Sequence, residues 1–206
     1  MSTSQIVLAA GLIVAAYLAG SVPFSFLVAR ARGIDLRTVG SGNIGGANVW
    51  RSAGFGPFLV AAALDMLKGL LPTLAAVRLL PGHYIAIVLV GIAAILGHTF
   101  SLFLNFKGGK AVATSGGVLL VIAPLLVLVG LIAWVIAFLI SRISSVGSLT
   151  AAATTLLAGT FFYFSGQLPL TYAVFVWFSA LFVVYLHREN IQRLRAGTEN
   201  RFKRLN

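Results

Sequence analysis

Six long apolar stretches separated by short polar breaks constrain this chain more than any other feature. They run approximately over 6–28, 55–77, 84–104, 111–140, 147–164 and 168–186. Each approaches or exceeds the ~20 residues that carry a helix across a ~30 Å hydrocarbon core. Only 9% of the residues are charged, against about a quarter in a soluble domain, and mean hydropathy is +1.01. The expected solvent is therefore lipid. Because backbone polar groups find no water there, the spans should be helices.

The placement of charge orients those helices. The break from Arg30 to Arg51 holds four Arg and one Asp, whereas the break from Leu79 to His83 holds none. By the positive-inside rule the first break is cytoplasmic, the amino terminus outside and the second break outside. Lys107 and Lys110 return to the inside. The stretch 111–140 is too long for one span and short for two, and Arg142 beyond it also belongs inside. An even number of crossings must then lie between Lys110 and Arg142, with Pro124 as the place to break. The expected fold is an all-α integral membrane bundle of seven transmembrane helices, some of them short, with its carboxyl terminus cytoplasmic. Residues 1–206 read as one membrane-embedded domain with a basic tail from about 187 to 206. The first helix reads as an uncleaved span, because residues 1–5 carry no basic n-region.

A formal net charge of +11 suits anionic partners. Its location at one interface and in the tail points to anionic lipid and phosphorylated substrates, not nucleic acid. With no cysteine, disulfides and thiol nucleophiles are excluded, and three His and four carboxylates scattered along the chain suggest neither metal nor cofactor. Inside the second stretch Asp65 and Lys68 have the i,i+3 spacing of an ion pair that fixes helix packing. His98 should be buried and hydrogen-bonded.

Four polar segments carry the chemistry. Ser41-Gly42-Asn43-Ile44-Gly45-Gly46-Ala47-Asn48, closed by Arg51, combines amides that glycine can expose with a guanidinium, a pairing that suits phosphate. A flexible loop whose Asn side chains cap a helix is the plainer reading. In Asn105-Phe106-Lys107-Gly108-Gly109-Lys110 a Gly pair and two Lys stand before an apolar helix, where an amino terminus attracts phosphate. The spacing is not that of a P-loop, and interfacial anchoring by the Lys pair is the alternative. Ser144, Ser145 and Ser148 open the sixth of the seven expected helices, at the start of the stretch 147–164, as helix caps or as ligands for phosphate or hydroxyl. His187 and Asn190, three apart, share one face if the last helix continues through them. No carboxylate clearly belongs to the cluster.

Together with Gly20-Ser21-Val22-Pro23-Phe24, Gly97-His98-Thr99-Phe100, His187-Arg188-Glu189-Asn190 and Gly197-Thr198-Glu199, these segments closely resemble the bacterial acyl-phosphate:glycerol-3-phosphate acyltransferase (PlsY) family over essentially the whole chain. The resemblance implies a monomeric enzyme of the bacterial inner membrane that uses no cofactor. It would move a fatty acyl group from acyl phosphate to the sn-1 hydroxyl of glycerol 3-phosphate, giving lysophosphatidic acid and phosphate, the first acylation of phospholipid synthesis. The family's cytoplasmic motifs fall on Ser41, Asn43 and Arg51, on Lys107, Gly108, Gly109 and Lys110, and on His187 and Asn190. His187, Asn190, Lys110 and Ser145 become the catalytic candidates. Ser41, Gly42, Asn43, Asn48, Arg51, Lys107, Gly108, Gly109, Lys110, Ser144 and Ser148 become the substrate-binding ones. Ala111 stands where the family usually has Gly, Gly46-Ala47 where Ala-Thr is common, and Ser144-Ser145 where Val-Ser is.

Acyl phosphate is a mixed anhydride with a good leaving group, so direct attack without an acyl-enzyme is expected. The base is either His187 or an oxygen of a substrate phosphate, the phosphate being favoured. A transporter of phosphorylated metabolites is the rival reading. It would want reachable charges at mid-membrane, whereas nearly all the charges here lie at one interface, and inverted halves, which the sequence does not display.

Overall fold

A computed structural model describes residues 1–202; the tail cations Lys203 and Arg204 lie outside the described residues. Those described form helices joined by loops, with no strand among them. The chain divides into two compact units, Met1–Ile122 and Ala123–Asn206.

The first unit contains α1 (Thr3–Ser21), α2 (Phe24–Arg30), α3 (Gly46–Ala53), α4 (Phe55–Leu79), α5 (Tyr84–Thr99), a 3₁₀ turn (Leu102–Leu104) and α6 (Val112–Ile122). Ser2 starts α1 with a capping box: its hydroxyl accepts from the Gln5 amide while the Gln5 side chain accepts from the Ser2 amide. Pro23 interrupts the first apolar stretch and separates α1 from α2. α1 packs on α5, and α4 on α6. Both crossings are set by glycine. A Cβ at Gly97 would collide with the Tyr17 carbonyl, and one at Gly117 with the Met66 carbonyl. Small residues let membrane helices approach where lipid supplies no hydrophobic drive between them.

The second unit contains α7 (Pro124–Ser141), α8 (Ser144–Phe164), α9 (Leu170–Leu186) and α10 (Arg188–Arg195). α8 packs on both α7 and α9. Pro124 is the first residue of α7, where its missing N–H costs nothing.

Five segments are long and apolar enough to cross a membrane: Thr3–Arg30, Phe55–Leu79, Tyr84–Leu104, Pro124–Ser141 and Ser144–Phe164. Leu170–Leu186 joins them if counted with Arg188–Arg195, from which it is bent by 53°. The remaining apolar helix, α6, has 11 residues, about 16 Å at 1.5 Å per residue, roughly half a hydrocarbon core. Large apolar side chains face outward along these helices, Ile140 at 81% and Phe164 at 79% exposure among them, as lipid-facing surfaces require.

Candidate active site

In the first unit the segment between α2 and α4 is folded around Asn48, which is 2% exposed. Its Nδ2 donates to the carbonyls of Leu36 (3.0 Å), Val39 (3.0 Å) and Asn43 (2.9 Å), and its Oδ1 accepts from the Ser41 amide at 3.1 Å. Leu36 and Val49, fully buried with Ala29 and Ala61, give the segment its own small core. Asn48 thus staples together three turns of chain that no regular ladder could join. Gly40 and Gly42 make the tight path possible at φ 59° and 70°.

The amides of this loop are largely spoken for. Ser41 donates to Asn48, Gly42 to the Val39 carbonyl at 3.0 Å and Gly45 to Asn43 Oδ1 at 2.9 Å. The amino terminus of α3 has no side-chain cap, so donors near Gly46 differ from those the glycine pattern suggested. Arg51 lies one turn beyond Asn48 on α3, half-buried. Arg37 is committed to the loop, its Nε and Nη2 reaching Asp35 at 2.9 and 2.6 Å. Hydrogen bonds from the Arg37 side chain and amide hold the Asp35 carboxyl down at about 2.

The second loop, between the 3₁₀ turn and α6, is built on the end of α5. Gly108 donates to the Thr99 carbonyl at 2.8 Å and Gly109 to the His98 carbonyl at 3.1 Å. Neither amide is available as the anion cradle that a Gly-Gly-Lys pattern suggests. The pair is glycine because a Cβ at Gly108 would strike the His98 and Thr99 carbonyls, and one at Gly109 the His98 ring. Lys107 is exposed and Lys110 half-buried. His98 is buried, with Nδ1 3.7 Å from Asp65 Oδ1, beyond hydrogen-bond length.

In the second unit, Ser144, Ser145, Ser148, His187 and Asn190 are all buried. No side chain caps α8, so the serines serve another purpose than the plain capping reading. Ser148 Oγ receives Trp134 Nε1 at 3.4 Å. The last helix does not continue through His187. The chain bends by 53° there, between α9 and α10, and His187 sits at the joint with Nδ1 2.8 Å from the Val183 carbonyl. A carbonyl can only accept, so Nδ1 carries the proton and the lone pair of the neutral ring is on Nε2.

A carboxylate does belong to this cluster. Glu199 Oε1 accepts from Asn190 Nδ2 at 2.6 Å and Ser145 Oγ at 3.0 Å, and Oε2 accepts from Arg193 Nε at 2.7 Å. Burial pushes the Glu199 carboxyl up, but the hydrogen bonds from Arg193, Asn190 and Ser145 outweigh it and leave the group below its ordinary value. A carboxylate held ionised by three donors is a poor proton acceptor. Its evident role is to join Ser145 to Asn190. The missed signal was Gly197, at φ 70°, which ends α10 and turns the chain back along it so that Thr198 donates to the Arg193 carbonyl at 2.9 Å. No group of three or more His, Asp or Glu that could hold a metal ion occurs among the described residues.

Apolar helices with outward lipid-facing side chains, and polar groups at the breaks between them, define an integral membrane protein. The family's sequence profile matches residues 10–197, and the chain belongs to the glycerol-3-phosphate acyltransferase family. It is 58% identical over 194 residues to the glycerol-3-phosphate acyltransferase of Roseiflexus sp. (strain RS-1), covering 94% of this chain and 95% of that protein. It is 47% identical over 203 residues to that of Geotalea daltonii, covering 98% of this chain and 100% of the relative. Two crystal structures of PlsY, an integral membrane glycerol 3-phosphate acyltransferase, match its fold. The glycerol 3-phosphate form gives a TM-score of 0.88 at 38% identity over 95% of this chain and 96% of that one. The lysophosphatidic acid form gives 0.86 at 36% identity, over 95% of each chain.

Proposed function

We propose that the chain transfers a fatty acyl group from acyl phosphate to the sn-1 hydroxyl of glycerol 3-phosphate, releasing phosphate and lysophosphatidic acid. The observation that carries this reading is the likeness, over 95% of the chain, to a PlsY crystallised in a glycerol 3-phosphate form. In this reading the chain is one acyltransferase domain of seven helices, α6 being the short one. Its amino terminus lies outside, its tail is cytoplasmic against anionic lipid, and it works as a monomer in the bacterial inner membrane.

Both substrates carry phosphate, and each close like-charge contact costs about 1–4 kcal/mol at the effective dielectric of such a site. Arg51, Lys107 and Lys110 are the cations proposed to offset it. Ser41 and Asn43 and the uncapped start of α3 supply neutral donors to a phosphate, with Gly42 giving the turn and Asn48 holding it. Lys110 steadies the departing phosphate, since the glycine amides beside it are engaged at Thr99 and His98. Ser145 and Asn190, locked through Glu199, orient the glycerol hydroxyl or the acyl carbonyl, and Ser144 and Ser148 line the same stretch of α8. Attack is direct. The proton goes to an oxygen of substrate phosphate in preference to His187 Nε2.

The test is purified protein given acyl phosphate, with and without glycerol 3-phosphate. Phosphate release that depends on glycerol 3-phosphate and yields lysophosphatidic acid is expected, and absence of that product sinks the reading. In the same assay a His187→Ala enzyme should keep turnover within about tenfold at saturating substrate, whereas an essential base would cost about 10²–10⁴-fold.

A further inference from the structure

Asp65 and Lys68 are charged, buried and inside α4, and the reaction proposed above uses neither. Charges at such depth are retained where they have partners and a task. Lys68 Nζ lies 2.8 Å from Asp65 Oδ1 and donates to the Val22 carbonyl, also at 2.8 Å, at the break before Pro23. Ser25 Oγ donates to Asp65 Oδ2 at 2.6 Å. The pair therefore ties α4 to the break between α1 and α2.

The cluster also faces the Lys107–Lys110 loop. Asp65 Oδ1 stands 3.7 Å from Nδ1 of His98, and the opposite edge of that ring, Nε2, lies against Gly109, where no Cβ would fit. The His98 and Thr99 carbonyls hold the Gly109 and Gly108 amides. Further along, Thr114 Oγ1 donates to the Asp65 carbonyl at 2.9 Å. The segment that contains Lys110 is thus gripped at both ends from one buried centre. Three of the four non-glycine residues with positive φ among the described residues flank this loop: Asn105 (50°), Phe106 (60°) and Ala111 (55°). Such backbone persists only where its surroundings over-determine it.

We propose that Asp65, Lys68 and His98 form a buried positioning cluster that fixes the Gly108–Gly109–Lys110 turn, and with it the direction of Lys107 and Lys110 toward the substrate phosphate. They are positioning residues, since His98 packs on the inner side of the turn. The consequence for activity rests on the proposed role of the two lysines; the grip itself does not.

Hydrogen exchange on the full-length protein in micelles, read peptide by peptide, is paired with kinetics for glycerol 3-phosphate. In His98→Ala, exchange at the Gly108 and Gly109 amides should rise about tenfold or more while the interiors of α4 and α5 stay protected. KM for glycerol 3-phosphate should rise about tenfold with kcat changed by less than about threefold. A merely structural role would instead raise exchange throughout α4 and α5, and would lower the active fraction at unchanged KM. Gly109→Ala leaves all three cluster residues in place and should reproduce the local loosening, so it carries the test if His98→Ala does not fold. The pair Gly109→Ala with His98→Ala should recover at least about half of the kcat/KM lost in Gly109→Ala alone, because the ring is the obstacle. Gly108→Ala should show no such recovery, since its obstacles are backbone carbonyls. Wild-type exchange and KM in His98→Ala, uniform exchange across the unit, or a double variant no better than Gly109→Ala would each overturn the proposal. Inactivity of the wild-type protein would strike the proposed function alone, because the exchange measurements need no substrate.

Discussion

Asn48 shows what one side chain does when every polar atom it has is used. Replacing it with Ala strands three carbonyls and the Ser41 amide, in a loop that water reaches only partly. At about 1–3 kcal/mol for each group left unsatisfied, with water recovering some of them, Asn48→Ala should cost about 2–4 kcal/mol. It should also open residues 36–45 to limited proteolysis before the helices unfold; unchanged cleavage and midpoint would show that the staple is dispensable. Ala111 is the opposite case. It is 1% exposed at φ 55°, a left-handed conformation that costs an L-residue about 1–2 kcal/mol. Since Gly also gives back about 0.4–1 kcal/mol in unfolded-chain entropy, Ala111→Gly should be neutral to about 1 kcal/mol stabilising in denaturant unfolding. A clear loss would mean the methyl group is needed for packing.

At the scale of elements, the tail behaves as part of α8 and α10. Glu199 bonds Ser145 near the start of α8 and Asn190 and Arg193 on α10. The Phe202 amide donates to the Arg142 carbonyl at 2.9 Å, and its ring meets Phe138 edge-on at 5.3 Å between centroids. Glu199 is depressed below its ordinary value of 4.5, so the unfolded chain binds its proton more readily than the folded one. Its contribution to stability is complete above about pH 4.5 and is lost as pH falls through the lower folded value. Glu199→Gln should therefore weaken the fold and the activity near neutral pH and flatten the acid limb of the stability profile. An acid limb identical in both proteins would assign it to other carboxylates, of which Asp35, held at about 2 by Arg37, is one. The sequence hid this clasp because its members span 138 to 202 and no periodicity links a loop residue to a helix start 54 positions away.

For the whole molecule, the charge asymmetry between breaks yields a sidedness that the absence of cysteine makes easy to measure. With single cysteines placed at exposed Ser165 and Arg195, an impermeant thiol reagent should label Ser165→Cys in intact spheroplasts and Arg195→Cys only after lysis. Labelling of both from one side would remove the seven-helix topology, since α9 would then fail to cross, and the reverse pattern would remove it too, since α6 would then fail to cross.

Apolar stretches, the break at Pro124, and the basic segments around Arg51, Lys107 and His187 were legible in the sequence because hydropathy and charge are local properties of the chain, whereas the break at Pro23, inside the stretch read as continuous over 6–28, was not. The pairing of Asp65 with Lys68 was legible too, being a matter of helical spacing. The tertiary structure alone decided where the hydrogen bonds go. It spent the glycine amides on His98 and Thr99, turned Asn48 inward as a staple, bent the last helix at His187 and brought Glu199 back to Ser145 and Asn190. A buried polar group must find a partner, and that partner is chosen by packing between segments far apart in the chain.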